Sequence, residues 1–294
     1  MTKHAAFEWP ALTLSEWEPT LDTLHLYSQI PGKIRLGLAP PEPEWGHAAL
    51  FVTATGLSTG PMRFDARIFQ IDLDLVEHRL LVVTSEGARE SVPLDGRPVS
   101  RFYADVMTAL RKLSLPVEIN TMPQEVPNPI PFERDDEHHS YERPSVERFW
   151  RVLRQVDAVF KQYRADYRGR HTPVNFWWGS FDLSYARFSG KPATPPPGLN
   201  KLMRLSMDAE EVQAGFWPGD QRFPEPAFFA YVYPKPDGLE RAKVQPEGAS
   251  WAELGEFMLR YEDVRRAQDP EAAILQFLQS TFETCVVAAK WSRT

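Results

Sequence analysis

The chain has 294 residues, of which 43% are hydrophobic and 25% are charged, and its formal net charge is −7. This balance is typical of a globular protein, and the acidic charge argues against a general nucleic-acid binder, because phosphate contacts need a basic surface. The single cysteine excludes an internal disulfide and a thiolate metal cage. No apolar run approaches the ~20 residues of a membrane span, and no signal sequence is evident, so we expect a soluble, cytoplasmic protein.

The first part of the chain predicts a helix, an antiparallel meander and a second helix. Ser15 and Glu18 are spaced as a capping box, and apolar residues then recur at helical spacing until Pro31-Gly32, which should end the helix. Residues 69–75 alternate between apolar and polar side chains, the period of a half-buried strand. The turns that follow predict two more strands, and residues 102–113 predict a second amphipathic helix.

A Pro-rich and then charged segment, residues 123–142, is the predicted connection between two α+β halves at 1–122 and 143–294. The second half opens with the strongest helical pattern of the chain, continues with strands, and closes with a helix that starts at Asp269-Pro270. Both halves share one order of elements, which indicates an internal duplication, although helix–strand alternation is common enough to arise by chance. The predicted fold class is α+β, with antiparallel sheets covered by helices.

Two motif-like patterns favour structural interpretations. Gly56-Leu57-Ser58-Thr59-Gly60 matches G-x-S-x-G, but a nucleophile elbow needs a helix directly after the serine, and Pro61 here leads toward a strand. We interpret the pattern as a glycine-flanked β-turn and expect Ser58 to be dispensable. The seven histidines lack the spacings of metal sites, so no metal and no cofactor is predicted. His25 lies beside the apolar stripe of the first helix and favours a hydrogen-bonded core histidine.

One aromatic-rich predicted strand is the most informative part of the sequence. On it, Trp178, Ser180, Asp182 and Ser184 would share one face, because side chains alternate along a strand. This mixture of an aromatic ring, two hydroxyls and a carboxylate is either a solvated face or the lining of a cleft. Tyr231 lies in a nearby predicted strand of alternating aromatic residues and could supply a phenol to the same pocket.

Several stretches of the sequence together match a family pattern. They are Leu24-His25-Leu26, Gly32-Lys33-Ile34-Arg35-Leu36, His138-His139-Ser140-Tyr141, Phe149-Trp150-Arg151, Trp178-Gly179-Ser180-Phe181-Asp182-Leu183, Arg187-Phe188-Ser189-Gly190, Gly215-Phe216-Trp217-Pro218-Gly219 and Leu254-Gly255-Glu256-Phe257. On these stretches the chain resembles, almost end to end, an uncharacterised bacterial family known only as a domain of unknown function. No activity comes with the resemblance.

Two positions depart from the pattern that the resemblance implies. Where relatives carry a histidine before the aromatic cluster of each half, this chain has Glu44 and Asn175. If those histidines do metal or acid–base work in the relatives, this chain would have lost it. Relatives also tend to have threonine at position 58, which further weakens the nucleophile interpretation of Ser58.

The leading functional hypothesis is binding of a small polar or anionic molecule in an aromatic-lined cleft, with Asp182 as the candidate catalytic residue for acid–base chemistry. Lys33 and Arg187 would be natural partners of an anion, although only a bulge in the strand would bring Arg187 beside Asp182. The alternative is a non-enzymatic protein-interaction module whose exposed aromatic residues form the interface. The candidate ligand-binding residues are Lys33, Arg35, His138, Trp178, Ser180, Arg187, Trp217 and Tyr231.

Overall fold

The computed structural model describes residues 8–195, 197–198 and 201–292. These residues contain six α-helices and two antiparallel sheets of six strands each, so the predicted α+β class is confirmed. The helices are α1 (Glu18–Leu38), α2 (Val99–Lys112), α3 (Arg143–Ala165), α4 (Lys201–Ser206), α5 (Tyr261–Arg265) and α6 (Pro270–Ala288). The strands are β1 (Phe51–Val52), β2 (Gly56–Ser58), β3 (Met62–Phe64), β4 (Arg67–Asp74), β5 (Arg79–Thr84), β6 (Arg89–Pro93), β7 (Asn175–Trp177), β8 (Asp182–Pro192), β9 (Ala209–Trp217), β10 (Ala227–Tyr233), β11 (Ser250–Trp251) and β12 (Phe257–Arg260).

The chain divides into two compact units. The first unit consists of Ser15–Trp150 and Asn175–Leu183. The second unit consists of residues 8–14, Arg151–Val174 and the described residues from 184 onward. Among the helices of the described residues, none combines the length and the apolar character needed to cross a membrane. The predicted internal duplication stays a prediction.

The first sheet has the strand order β1-β2-β4-β5-β6, with β3 paired to β4. Its central strands β4 and β5 pair antiparallel, as the predicted meander requires. The apolar residues of β4, including Ile71 and Leu73, alternate with polar ones and are buried on one face. α2 packs on β5 and β6 with Phe102, Val106 and Leu110, all fully buried and spaced at helical period. Burial of each such side chain contributes about 1.5–3 kcal/mol, so this face holds the layers together.

Helix α1 is longer than the sequence predicts. It continues through Pro31 to Leu38, and its N-cap is Trp17, which makes no side-chain capping bond, so the predicted capping box at Ser15 is wrong. An interior proline removes one backbone donor and destabilises a helix by about 3 kcal/mol. Here the residues after Pro31 are buried, Ile34 among them, and their burial outweighs that penalty.

The second sheet has the order β11-β12-β10-β9-β8-β7. In β10 the fully buried Phe228 and Ala230 lie on one face, whereas the half-buried Tyr231 lies on the other. Helix α6 starts where the sequence predicts, because the Asp269 carboxylate accepts a hydrogen bond from the backbone N–H of Ala272 at 3.0 Å.

The predicted aromatic strand around position 180 is interrupted by a turn. β7 ends at Trp177, residues 178–181 form the turn, and β8 begins at Asp182. The prediction that Trp178 and Ser180 share a strand face with Asp182 is therefore wrong, because Phe181 adopts a φ of 58°, which reverses the alternation. The interpretation as a solvated face is also wrong, since Trp178 and Asp182 are both buried.

Candidate functional site

The predicted site residues are distributed between the two units. Lys33, Arg35, His138, Trp178, Ser180 and Asp182 belong to the first unit. Arg187, Trp217 and Tyr231 belong to the second.

Lys33 and Trp178 meet inside the first unit. The Nζ atom of Lys33 lies 5.7 Å from the ring centre of Trp178 and 5.8 Å from that of Phe132, and it donates a hydrogen bond to the carbonyl oxygen of Met122 at 2.7 Å. Burial lowers the pKa of Lys33 to about 8. The Trp178 ring packs on Gly32 so closely that a Cβ there would overlap it. The contacts of Lys33 therefore hold the segments that contain Met122 and Trp178 against α1.

His25 and Gln29 precede Lys33 at four-residue spacing and therefore lie on the same face of α1. Nε2 of His25 lies 2.9 Å from the carbonyl oxygens of Trp178 and of Gly179. The Gln29 amide donates to the Gln124 carbonyl oxygen at 2.9 Å and accepts from the Gln124 N–H at 2.8 Å. Burial lowers the pKa of His25 to about 4, so its ring is neutral at pH 7. The predicted structural role of His25 is confirmed.

Arg35 is a buried cation with no carboxylate oxygen within 4.0 Å among the described residues. Its Nη1 donates to the carbonyl oxygen of Thr59 at 2.5 Å, and Nη2 makes a long contact of 3.4 Å with that of Gly46. The guanidinium lies over the ring of Phe51, 4.7 Å from its centre, while Nε makes no hydrogen bond within the described part of the chain. Burial lowers the pKa of Arg35, and only the charge of Glu42 opposes this shift.

Asn175 is a buried amide whose polar atoms lack hydrogen-bond partners among the described residues. Its side chain is 1% exposed, and neither Oδ1 nor Nδ2 has a hydrogen-bond partner in the part of the chain that the structure describes. Its neighbour Phe176 exchanges two backbone hydrogen bonds with Leu50, at 2.9 and 3.0 Å. In an antiparallel pair the flanking residues also lie opposite each other and point the same way. Asn175 therefore lies beside Phe51, whose ring contacts the Arg35 guanidinium.

The loop before β1 adds backbone strain and another unpartnered donor. Glu44 and Trp45 have φ angles of 52° and 58°, a region that residues other than glycine rarely adopt. Nε1 of Trp45 is buried without a hydrogen-bond partner among the described residues, and its ring stacks on that of His47 at 5.1 Å. The contact of Arg35 with Gly46 places this loop beside the guanidinium. Strained backbone of this kind gathers at ligand-binding sites.

We call Arg35, Trp45, Phe51 and Asn175 the Arg35 cluster. Of its members, the sequence predicts only Arg35 as a binding residue, and Asn175 is noted there as a departure from the family pattern. Phe51 and Trp45 are missed. The available signal is that both departures, Glu44 and Asn175, fall on the loop and the strand that flank the cluster.

His138 lies in a different polar environment of the first unit. Its Nδ1 is 3.0 and 2.9 Å from the two carboxylate oxygens of the fully buried Asp135, and this hydrogen bond raises the pKa of His138. The arrangement fixes the ring tautomer, as in acid–base pairs, although Asp135 also accepts backbone hydrogen bonds from Glu137 and His138. Among the described residues, no group of three or more His, Cys, Asp or Glu side chains could hold a metal ion.

The sequence predicts a catalytic role for Asp182 and no catalytic role for Ser58. The Ser180 hydroxyl donates a hydrogen bond to Asp182, which is buried at the start of β8, and the catalytic role of Asp182 stays a prediction. Ser58 is buried at the end of β2, and its hydroxyl accepts from the N–H of Gly60 at 3.0 Å. The predicted turn at Ser58 is wrong, because the residue ends a strand. The strand predicted after Pro61 is confirmed as β3.

Arg187 is enclosed by aromatic rings of the second unit. The carbon of its guanidinium lies 3.7 Å from the ring centre of Tyr163 and 4.5 Å from those of Tyr167 and Phe282. Nη2 donates to the Tyr163 carbonyl oxygen at 2.9 Å, and Nε donates to the Tyr185 hydroxyl at 3.4 Å. These contacts make Arg187 a buried cation–π anchor, and its role as an anion partner stays a prediction.

Trp217 and Tyr231 lie on one face of the second sheet. Both pack against a cluster that contains Phe229 and Met258, and the rings of Phe229 and Tyr231 are parallel within 8° at 6.4 Å. Glu256 lies directly before β12, two residues from Met258 of this cluster. Burial raises the pKa of Glu256 to about 7. The sequence did not single out Glu256, although it belongs to one of the family-like stretches.

Comparison with known proteins gives the chain a family but no activity. A family model described as a family of unknown function, DUF5996, matches residues 9–294. Neither the curated proteins nor the solved structures contain a match to the chain. Because the family model covers nearly the whole sequence, the chain belongs to the DUF5996 family, in agreement with the resemblance found in its sequence.

Proposed function

We propose that the protein binds a small anionic molecule at the Arg35 cluster. The observation that carries this proposal is the side chain of Arg35, which is 6% exposed and has no carboxylate within ion-pair distance among the described residues. Asn175, on the same side of the Leu50–Phe176 backbone pair as Phe51, supports it with an amide that has no partner among the described residues. A buried site of this kind suits a small ligand better than a protein surface.

The charge of Arg35 explains why an anion is the expected ligand. Arginine stays protonated inside proteins, so Arg35 is a cation even though burial lowers its pKa. A buried charge is unfavourable unless it is paired. The carbonyl oxygens of Thr59 and Gly46 and the face of Phe51 carry no full negative charge, so they compensate it only in part. The Glu42 carboxylate also attracts the guanidinium, but its oxygens lie outside ion-pair distance.

The geometry of the guanidinium indicates which edge the anion would use. Nε and Nη2 lie along one edge of the group. Nε has no hydrogen bond, and Nη2 has only the 3.4 Å contact with Gly46. Two parallel N–H groups on one edge match the two oxygens of a carboxylate or a phosphate. The proposal therefore keeps the small anionic ligand of the sequence-based hypothesis and centres it on Arg35 instead of Asp182.

Binding of two simple anions tests this proposal. Sodium acetate and inorganic phosphate are titrated into the full-length protein at constant ionic strength, with calorimetry and thermal unfolding as readouts. We expect at least one of them to bind and to raise the melting temperature, because a ligand that binds only the folded state stabilises it. Arg35→Met, which removes the charge but keeps an unbranched apolar chain, should abolish binding.

Arg187→Met provides the matched control. Arg187 is also a buried arginine that lies on an aromatic ring and donates to a backbone carbonyl, but its Nε already has a partner. This variant should lose stability and still bind the anion with unchanged affinity. Equal anion affinity in Arg35→Met and the wild type would refute the proposal, as would the absence of any binding to the wild type.

A further inference from the structure

We infer that the preferred ligand of the Arg35 cluster is a small carboxylate that also carries a hydroxyl group, such as a 2-hydroxy acid, and not a simple anion. This inference rests on the proposed function, because it names the ligand class of the same site. It starts from Asn175, whose two polar side-chain atoms both lack partners among the described residues.

An amide has two different requirements. Its nitrogen donates hydrogen bonds and its oxygen accepts them, whichever way the amide group is turned. A carboxylate or a phosphate dianion offers only acceptors, so it could satisfy Nδ2 of Asn175 but would leave Oδ1 without a donor. With a side chain that is 1% exposed, Asn175 does not have bulk water to supply that donor. A ligand that satisfies the whole amide must therefore bring a hydrogen-bond donor as well as acceptors.

The charge of Arg35 decides between the two common donors of small acids. An ammonium group, as in an amino acid, would add a second cation beside a guanidinium that already lacks a carboxylate partner among the described residues. A neutral hydroxyl donates a hydrogen bond without adding charge. The cluster thus favours a hydroxy acid over an amino acid, because its carboxylate pairs with Arg35 and its hydroxyl donates to Asn175.

The positions of the two residues require a compact ligand. Arg35 lies on the Phe51 ring, and Asn175 lies opposite Phe51 across the pair of backbone hydrogen bonds between Leu50 and Phe176. Both groups are therefore neighbours of one side chain. A molecule whose carboxylate and hydroxyl stand on adjacent carbons is compact enough to reach two groups that adjoin one side chain. The indole N–H of Trp45, also unpartnered among the described residues, belongs to the adjoining loop and is a further donor for such a ligand.

Three two-carbon probes test the inference because they differ in one group. Acetate has neither extra group, glycolate adds a hydroxyl, and glycine adds an ammonium. Titrated into the full-length protein at one ionic strength and pH 7, glycolate should bind about tenfold more tightly than acetate, since an unpaired polar group in the site penalises the ligand that lacks its partner. Glycine should bind more weakly than acetate.

Variants of Asn175 complete the test. Asn175→Leu should lower glycolate affinity to that of acetate, and Asn175→Asp should weaken the binding of both by adding a negative charge. Circular dichroism and melting temperature report whether each variant is folded. Equal affinities of wild type for acetate and glycolate, or a glycolate preference that survives in Asn175→Leu, would overturn the hydroxy-acid inference while leaving anion binding intact. If none of the three probes binds, both the inference and the proposed function fail.

Discussion

Replacement of Asn175 by leucine should stabilise the ligand-free protein. The two side chains have nearly the same size and branching, so the change removes polar atoms with little change in shape. A buried polar group without a hydrogen bond destabilises a protein by about 1–3 kcal/mol, and this amide is 1% exposed with neither polar atom paired among the described residues. A core swap that conserves volume costs less than about 1.5 kcal/mol, so we expect the free energy of unfolding to rise by about 1 kcal/mol in total.

The assay is urea unfolding of the dialysed protein in a buffer free of carboxylates and phosphate, followed by circular dichroism, together with the melting temperature. A change of 1 kcal/mol shifts the melting temperature by about 2 °C in a protein of this size. The increase should therefore be measurable by either method. Bound anion must be absent, because it would stabilise the wild type and mask the gain.

Gln29→Met is the matched control for this prediction. The Gln29 side chain is also a fully buried amide, but it exchanges two hydrogen bonds with the backbone of Gln124. Its replacement leaves those backbone groups unpaired, so it should lower the free energy of unfolding by about 1–3 kcal/mol. If Asn175→Leu lowers stability as Gln29→Met does, the Asn175 amide is satisfied in the free protein, by ordered water for example, and the argument for a ligand at this position fails.

Three further predictions concern other residues. Gly32→Ala should lower the urea midpoint, because the new Cβ would overlap the Trp178 ring. This clash should outweigh the helix propensity of alanine, which is better than that of glycine by about 1 kcal/mol. An unchanged or higher midpoint would contradict this packing. Folded wild type keeps a proton on Glu256 up to a pKa of about 7, whereas the unfolded chain loses it near 4.5, so wild-type stability falls between these values as pH rises. The melting temperature of Glu256→Gln, relative to that of the wild type, should therefore rise from pH 5 to pH 8. A difference that does not change with pH would argue against the raised pKa of Glu256. Ser58 should resist fluorophosphonate labelling, and Ser58→Ala should keep anion binding, because the residue is buried at the end of a strand; labelling that the substitution abolishes would reverse this view.

Local sequence signals predicted the elements whose stability is itself local. The alternation in β4 identified a strand with one buried face, and Asp269 marked the start of α6 through a capping hydrogen bond within its own turn. The sequence was misleading where contacts from elsewhere decide the outcome. α1 continues past Pro31 because tertiary burial stabilises its last turns, and the left-handed Phe181 gives no sequence signal of the kind that glycine would give.

The candidate site shows the same limit. Arg35 was predicted from the sequence, but its relation to Asn175 depends on the backbone bridge between Leu50 and Phe176, which lie far apart along the chain. No periodicity or spacing reports such a pairing. The absence of hydrogen bonds at Asn175 is likewise a property of the folded environment, so an asparagine in the sequence reveals nothing of it.

The discontinuity of the two units has a consequence for biosynthesis. The ribosome completes Ser15–Trp150 before it makes Asn175–Leu183, yet both segments belong to the first unit. Until that segment emerges, the rings of Trp178 and Phe181 are missing from the first unit, and the apolar surface that they cover on Gly32 and Phe149 stays exposed. A fragment that stops at Trp150 should therefore be destabilised and prone to aggregate, because the nascent protein depends on a nine-residue segment, Asn175–Leu183, to complete the core of its first unit.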